Sequence, residues 1–300
     1  MTRPSRPARD IHQDITDRII AAIVANPDAK PVMPWNRSGL PMTLPVNAHT
    51  ANTYNGINIP ILWCIAEERG YQSGHWATYR QWTELGAQVR KGEKSSPVIF
   101  YKEFEVEPDA EDADDDGKRR MARWSNVFNA DQVEGYDPDP VPDRPMLDRL
   151  ASVDRYVAAT GALILIGGQV ACYRPSADTI MMPDEQRFFA TDAHSRSENF
   201  YAVELHELIH WTGAEHRLAR TFGKRFGDDA YAMEELVAEL GAAFQCAQLG
   251  ITHTPREDHA AYIGHWLKIL KADNRAIFAA AAKASQAVAY LDALQTKEPA

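Results

Sequence analysis

His206 and His210 stand four residues apart in the run Tyr201-Ala-Val-Glu-Leu-His-Glu-Leu-Ile-His-Trp211. On a helix that spacing puts both imidazoles on one face, where their nitrogens can aim at a single ion. Glu207 falls one residue along, beside a water bound to that ion. The chemistry implied is metal-assisted hydrolysis. Zn2+ lowers the pKa of its water towards neutrality, Glu207 takes the proton as general base, and the hydroxide attacks a carbonyl polarised by the metal. Mn2+ is a second divalent ion such donors accept. Val203, Leu205, Leu208, Ile209 and Trp211 make this a buried helix, in which the histidines and acids need partners. The bland alternative is a helix whose histidines are merely hydrogen-bonded.

A third ligand must come from elsewhere, and there are two candidates. In Met233-Glu-Glu-Leu-Val-Ala-Glu239, Glu235 and Glu239 share a helix face opposite Met233, Leu236, Leu240 and Phe244. A carboxylate pair on an otherwise buried helix asks for a cation: Glu235 would bind the metal, and Glu239 would hold a ligand histidine and fix its tautomer. The other candidate is His216, because His206 to His216 with Gly213 between them also fits metzincin spacing. A metzincin needs a methionine turn beneath the metal, yet Met233 begins an amphipathic helix, so Glu235 is favoured. The bland reading of Glu234, Glu235 and Glu239 is a solvated acidic face.

These residues must be held by a protein of 300 residues, 45% of them hydrophobic, enough for two compact domains with cores of their own. The net charge of −10 speaks against a generally basic coat for nucleic acid, but it is uneven. Residues 1–107 hold 12 Lys/Arg against 11 Asp/Glu (+1), residues 108–148 hold 5 against 12 (−7), and the rest 15 against 19 (−4). Cys64, Cys172 and Cys246 are odd in number and widely spaced, which fits reduced thiols in the cytoplasm. No apolar stretch reaches a membrane span, and no h-region follows the charged N-terminus, so no membrane partner is expected.

Periodicity predicts helices over 11–25, 57–68, 78–85 and 147–160, and strands over 96–101 and 123–128 that pair across an acidic tip, Glu107–Gly117. A further strand is predicted over 162–166, a hairpin from 170–173 and 179–182, and helix through most of 257–295. His253, His259 and His265 there are read as structural. Gly135–Pro145 carries four prolines and marks a stiff linker. The expectation is therefore an α+β chain with a domain over 10–135, a linker over 136–145 and a second domain over 146–300.

Single strands of nucleic acid are held by basic grooves and by aromatic faces on which bases stack. Between Trp76 and Lys102 both kinds interleave: Trp76, Tyr79, Trp82, Phe100 and Tyr101 with Arg80, Arg90, Lys91, Lys94 and Lys102. Single-stranded DNA is the expected partner, with Arg90-Lys-Gly-Glu-Lys94 as a phosphate-contacting turn. About half of these aromatics are expected to be core instead.

His206-Glu-Leu-Ile-His-Trp-Thr-Gly213, Arg217-Leu-Ala-Arg220, Arg225-Phe-Gly-Asp228 and Tyr231 to Phe244 resemble the metallopeptidase half of the ArdC antirestriction proteins. Tyr54-Asn-Gly-Ile-Asn58, Trp76 to Trp82, Gln88 to Lys94 and Val127 to Gly135 resemble the same family's single-stranded-DNA-binding domain. Related domains occur in plasmid primase-like proteins. The resemblance implies an N-terminal domain for single-stranded DNA and a C-terminal zincin-like domain whose ligands are the two histidines and Glu235. It also implies an antirestriction role carried by a mobile element, with a protein or peptide as a further substrate. The competing reading is a DNA-binding protein with a structural metal and no peptidase activity.

Overall fold

The structure, a computed structural model, describes residues 10–24, 43–105, 118–137, 146–167, 169–190, 195–221, 229–251 and 260–295, with no side chains described over 101–122. The acidic tip, most of the Pro-rich linker, Arg225–Asp228, His253, His259 and the side chain of Lys102 lie outside the described residues. Contacts divide the chain into a unit spanning Pro45–Pro140 and a second made of Met1–Leu44 with Val141–Ala300.

In the first of these, β1 (Val46–Asn47), β2 (His75–Ala77), β4 (Ser96–Glu105) and β5 (Lys118–Asn129) form a sheet of order β1-β2-β5-β4. The expected β4–β5 hairpin is longer than its apolar runs suggest, pairing Ser96 with Val127 at one end and Glu105 with Lys118 at the other. Helix α2 (Asn58–Arg69) ends at Gly70, and its first residue braces the outer edge of the sheet. Asn58 Nδ2 donates to Ile99 O (2.6 Å) while its Oδ1 accepts from Ile99 N (2.7 Å), satisfying backbone groups that have no strand beside them. Helix α3 (Tyr79–Glu84) opens on a reciprocal cap between Thr78 and Gln81. A two-stranded sheet, β3 (Gln88–Val89) with β6 (Val133–Glu134), completes the unit.

The other unit is mainly helical: α4 (Met146–Thr160), α5 (Arg196–Thr212), α6 (Asp229–Leu249), α7 (Ala260–Ala272) and α8 (Ala276–Gln295). The expected helical stretch beyond 257 divides where Asp273 Oδ1 accepts from Arg275 N (2.8 Å), a turn that starts α8 afresh. A sheet of order β7-β9-β8 joins β7 (Leu163–Ile166), β8 (Cys172–Arg174) and β9 (Thr179–Met182), with β8 and β9 forming the expected hairpin. Helix α1 (Ile11–Val24), which comes before the first unit in sequence, is grouped with this second unit by its contacts. Its buried stripe Ile15, Ile19 and Ile23 needs an apolar partner, and Thr16 Oγ1 donates to Asn274 O (2.9 Å) between α7 and α8.

The core pair is α5 against α6. Ser195 and Glu198 cap the start of α5 reciprocally, and most of both helices is buried. Gly241 lets them approach: a Cβ built there would lie 2.9 Å from the Ile209 side chain.

Candidate metal centre and nucleic-acid surface

The close approach of α5 and α6 brings one carboxylate before two imidazoles. His206 Nε2 lies 3.4 Å from Glu235 Oε2 and His210 Nε2 lies 3.7 Å from Glu235 Oε1. The three residues are buried, and one donor atom of each falls within 4.8 Å of the others. Each ring turns its second nitrogen to another glutamate of α6: His206 Nδ1 is 3.8 Å from Glu239 Oε2, and His210 Nδ1 is 3.2 Å from Glu234 Oε1. A proton on each Nδ1 leaves both Nε2 lone pairs directed at the same point.

The electrostatics favour a cation there. Burial by itself would raise the pKa of Glu235, but hydrogen bonds and charge from His206 and His210 hold it well below the usual carboxylate range. Burial would lower His210, but Glu234 and Glu235 push it up to about 10. Glu207, Glu234, Glu235 and Glu239 are all buried, and Arg220 neutralises one of them. Two imidazoles and a carboxylate are donors that Zn2+ and Mn2+ both accept, so the residues fit a divalent metal.

Arg220 and Glu234 are the residues that sequence reasoning passed over. Arg220 Nη2 donates to Glu234 Oε1 (2.8 Å) and Ile209 O (2.6 Å), and its Nη1 donates to Thr212 Oγ1 (2.7 Å). One guanidinium thus closes the end of α5 and fixes the glutamate that orients His210. The alternative reading of Glu234, Glu235 and Glu239 as a solvated face does not hold, since all three are buried.

Glu207 is also buried, and its Oε2 accepts from the backbone N–H of Tyr173 on edge strand β8 (2.8 Å). Tyr173 is anchored in turn, its hydroxyl donating to Asp178 Oδ1 (2.8 Å) and accepting from Arg217 Nη2 (3.2 Å). His216 does not join the histidine pair. Helix α5 stops at Gly213, and the His216 side chain, 63% exposed, lies 3.3 Å from Asp178 Oδ2.

In the N-terminal unit the structure sorts the aromatic residues. Trp76 is 1% exposed and meets Tyr71 edge-on, and Trp82 is 0% exposed with its Nε1 donating to Phe128 O (3.0 Å). The expectation that these two tryptophans stack on bases is corrected: Trp82 packs in a core with Ala77, Ala87, Val89 and Val133. Among the described residues of this unit, Tyr79 (52%), Phe100 and Trp124 are the large rings left exposed. Arg80 Nε is tied to Glu84 Oε1 (2.8 Å), four residues along its own helix. Arg90 braces its own turn, bonding Glu93 Oε1 (3.1 Å) and the carbonyl of Asp131. Lys91 and Lys94 are exposed and make no ion pair among the described residues. No helix among the described residues is long and apolar enough to cross a membrane.

Residues 9–128 match the family described as the N-terminal domain of anti-restriction factor ArdC, and residues 151–283 match the zincin-like metallopeptidase family. The uncharacterized protein y4eC of Sinorhizobium fredii is 44% identical over 96% of this chain and 93% of its own length. The DNA primase TraC of Escherichia coli is 34% identical over 97% of this chain, which spans only 20% of that primase. Among solved structures, the metal-free antirestriction ArdC protein from the R388 plasmid is 37% identical, with a TM-score of 0.74, covering 96% of this chain and 98% of that one. The Mn(II)-bound structure of the same protein gives a TM-score of 0.75, covering 96% of this chain and 99% of that one. With both halves matched in order and a full-length relative of known structure, the chain belongs to the ArdC family: an ArdC-type N-terminal domain followed by a zincin-like domain.

Proposed function

We propose that this is a cytoplasmic antirestriction protein of a mobile element that binds single-stranded DNA and carries a metal-dependent peptidase site. The observation that carries the reading is the convergence of His206 Nε2, His210 Nε2 and the Glu235 carboxylate, with Glu207 on the same helix. The Mn(II)-bound ArdC structure supports a divalent ion at such a centre, and the plasmid origin of that relative supports the mobile-element role. His206, His210 and Glu235 would hold Zn2+ or Mn2+, which when bound acidifies water and polarises a carbonyl. Glu207 accepts the proton. The N–H of Tyr173 holds Glu207 Oε2. Glu239 and Glu234 keep the imidazoles turned. Strand β8 lies at the sheet edge beside Glu207, where an extended peptide can add as a further strand. Exposed Lys91, Lys94 and Tyr79 supply the cations and the ring that a single strand needs.

Elemental analysis of purified protein tests the centre: Glu235→Ala should lose the metal and His216→Ala should keep it, and the reverse pattern would overturn the ligand set. Casein hydrolysis with and without DNA tests the chemistry. Glu207→Gln should abolish turnover with the metal retained, since an amide keeps the shape but cannot take the proton. Equal hydrolysis by both proteins removes Glu207 as the base, and no hydrolysis by either favours a structural metal.

A further inference from the structure

We infer that the cavity beside α3 in the N-terminal unit is a pocket for one unpaired nucleobase, reading it through hydrogen-bond acceptors and favouring bases with an exocyclic amino group over thymine. The inference rests on the single-strand reading above and adds a site and a base preference to it.

The cavity, of about 650 Å³, is lined by Tyr79, Gln88, Lys91, Phe128 and Glu134 among others, within the range of roughly 300–1,000 Å³ common for small-ligand sites. Tyr79 is half exposed yet held on two sides. Gln88 Nε2 donates to its hydroxyl (2.8 Å), and the Phe128 ring meets it edge-on at 6.4 Å. A solvent-facing ring already fixed in orientation gives a base a stacking face without further ordering.

Two residues beside that ring, Gln88 and Glu134, offer acceptors. Gln88 commits its second amide hydrogen to Val89 O (3.1 Å), so only its Oε1 is left to a ligand. Gln88 and Glu134 are directly opposed in the β3–β6 pair, and opposed residues of an antiparallel pair share a face. Both side chains line the cavity. Cytosine N4 or adenine N6 can donate to such a wall. Thymine puts a carbonyl where those bases put the amine, and acceptor would face acceptor. Lys91, on the rim and without an ion pair among the described residues, is placed for the adjoining phosphate. Gly92, with φ +91, makes the turn in a conformation that favours glycine and leaves open space where a side chain would stand.

Fluorescence anisotropy of the full-length protein with labelled oligo(dC), oligo(dA) and oligo(dT) at one low salt concentration tests this. Wild type should bind oligo(dC) and oligo(dA) about 5-fold or more tighter than oligo(dT). Glu134→Gln, which adds a donor, should erase that contrast. Tyr79→Ala should weaken all three by about 5-fold or more. Both side chains are exposed, and if Tyr79→Ala lowers the melting temperature, Glu134→Gln still decides the matter. Equal binding of all three by wild type, or a contrast that survives Glu134→Gln, would overturn the inference while leaving single-strand binding standing. Failure to bind any of them would instead remove the single-strand reading itself.

Discussion

The two units treat charge in opposite ways. Around His206 and His210 the acids are buried and tied to partners, and one guanidinium on Glu234 spans the end of α5 and the start of α6. On the N-terminal unit Lys91 and Lys94 open to solvent and make no ion pair among the described residues, and the nearby Arg80 and Arg90 are spent on neighbouring carboxylates. A buried constellation specifies one small ligand in one geometry, because any misplaced charge there is costly. An exposed one tolerates many ligands of one charge, because solvent screens each contact. The first arrangement suits an ion and the second suits a polymer.

Breaking the buried side should have the largest effect. Arg220→Ala leaves Glu234 buried without its guanidinium and should cost about 3–5 kcal/mol, read as a lower melting temperature. Trp82→Ala in the other unit should cost a similar amount, about 3–5 kcal/mol. It should lower DNA affinity only where that unit has melted; an unchanged melting temperature with lost binding would return Trp82 to the surface. Next comes Glu239→Gln, which should leave the fold intact but weaken metal affinity about 10- to 100-fold, as measured by competition with a chelator.

On the exposed side the effects shrink. Lys91→Ala should flatten the slope of log K against log salt by about 0.7 on a single strand. Arg90→Ala should leave that slope nearer wild type, since its guanidinium already serves Glu93 and Asp131. Equal slope changes for both would erase the distinction between bracing and free cations. The smallest effect concerns Asp178, whose carboxyl Arg217 holds down at a pKa of about 2. A depressed pKa adds stability above the unfolded value of about 3.9 that is lost as pH falls through about 2. Asp178→Asn should therefore destabilise the fold at neutral pH by about 1 kcal/mol or less, because the carboxyl is partly solvated, read as a slightly lower melting temperature. The gap to wild type should narrow below about pH 4.

How legible these features were depends on how far each contact reaches along the chain. His206 and His210 are one helical turn apart, and Glu235 and Glu239 repeat that spacing, so periodicity alone put each pair on one face. The helices predicted over 57–68 and 78–85 are bounded by local chemistry, the first by its C-cap Gly70 and the second by the Thr78 cap. Arg220 is different. It meets Glu234 fourteen residues away, and no spacing rule points from one to the other. The tryptophans failed for another reason. Trp76 and Trp82 have the composition of a stacking surface, but whether a ring faces water depends on β5 and β6, some fifty residues on. The partner of helix α1 was not legible either, because an apolar stripe shows that a helix needs a partner without showing which.

Gly241 carries a consequence for the tolerances of the metal centre. A coordination sphere accepts donors only within about 0.2 Å of their proper distances. A methyl group at position 241 would meet Ile209 at 2.9 Å and force the two helices to separate or Ile209 to turn aside. Glu235 rides on α6 while the histidines ride on α5, so any separation passes directly into the ligand distances. The spacing of His206, His210 and Glu235 thus rests in part on a single hydrogen atom of a residue outside that trio, much as a shim sets the gap of a gauge.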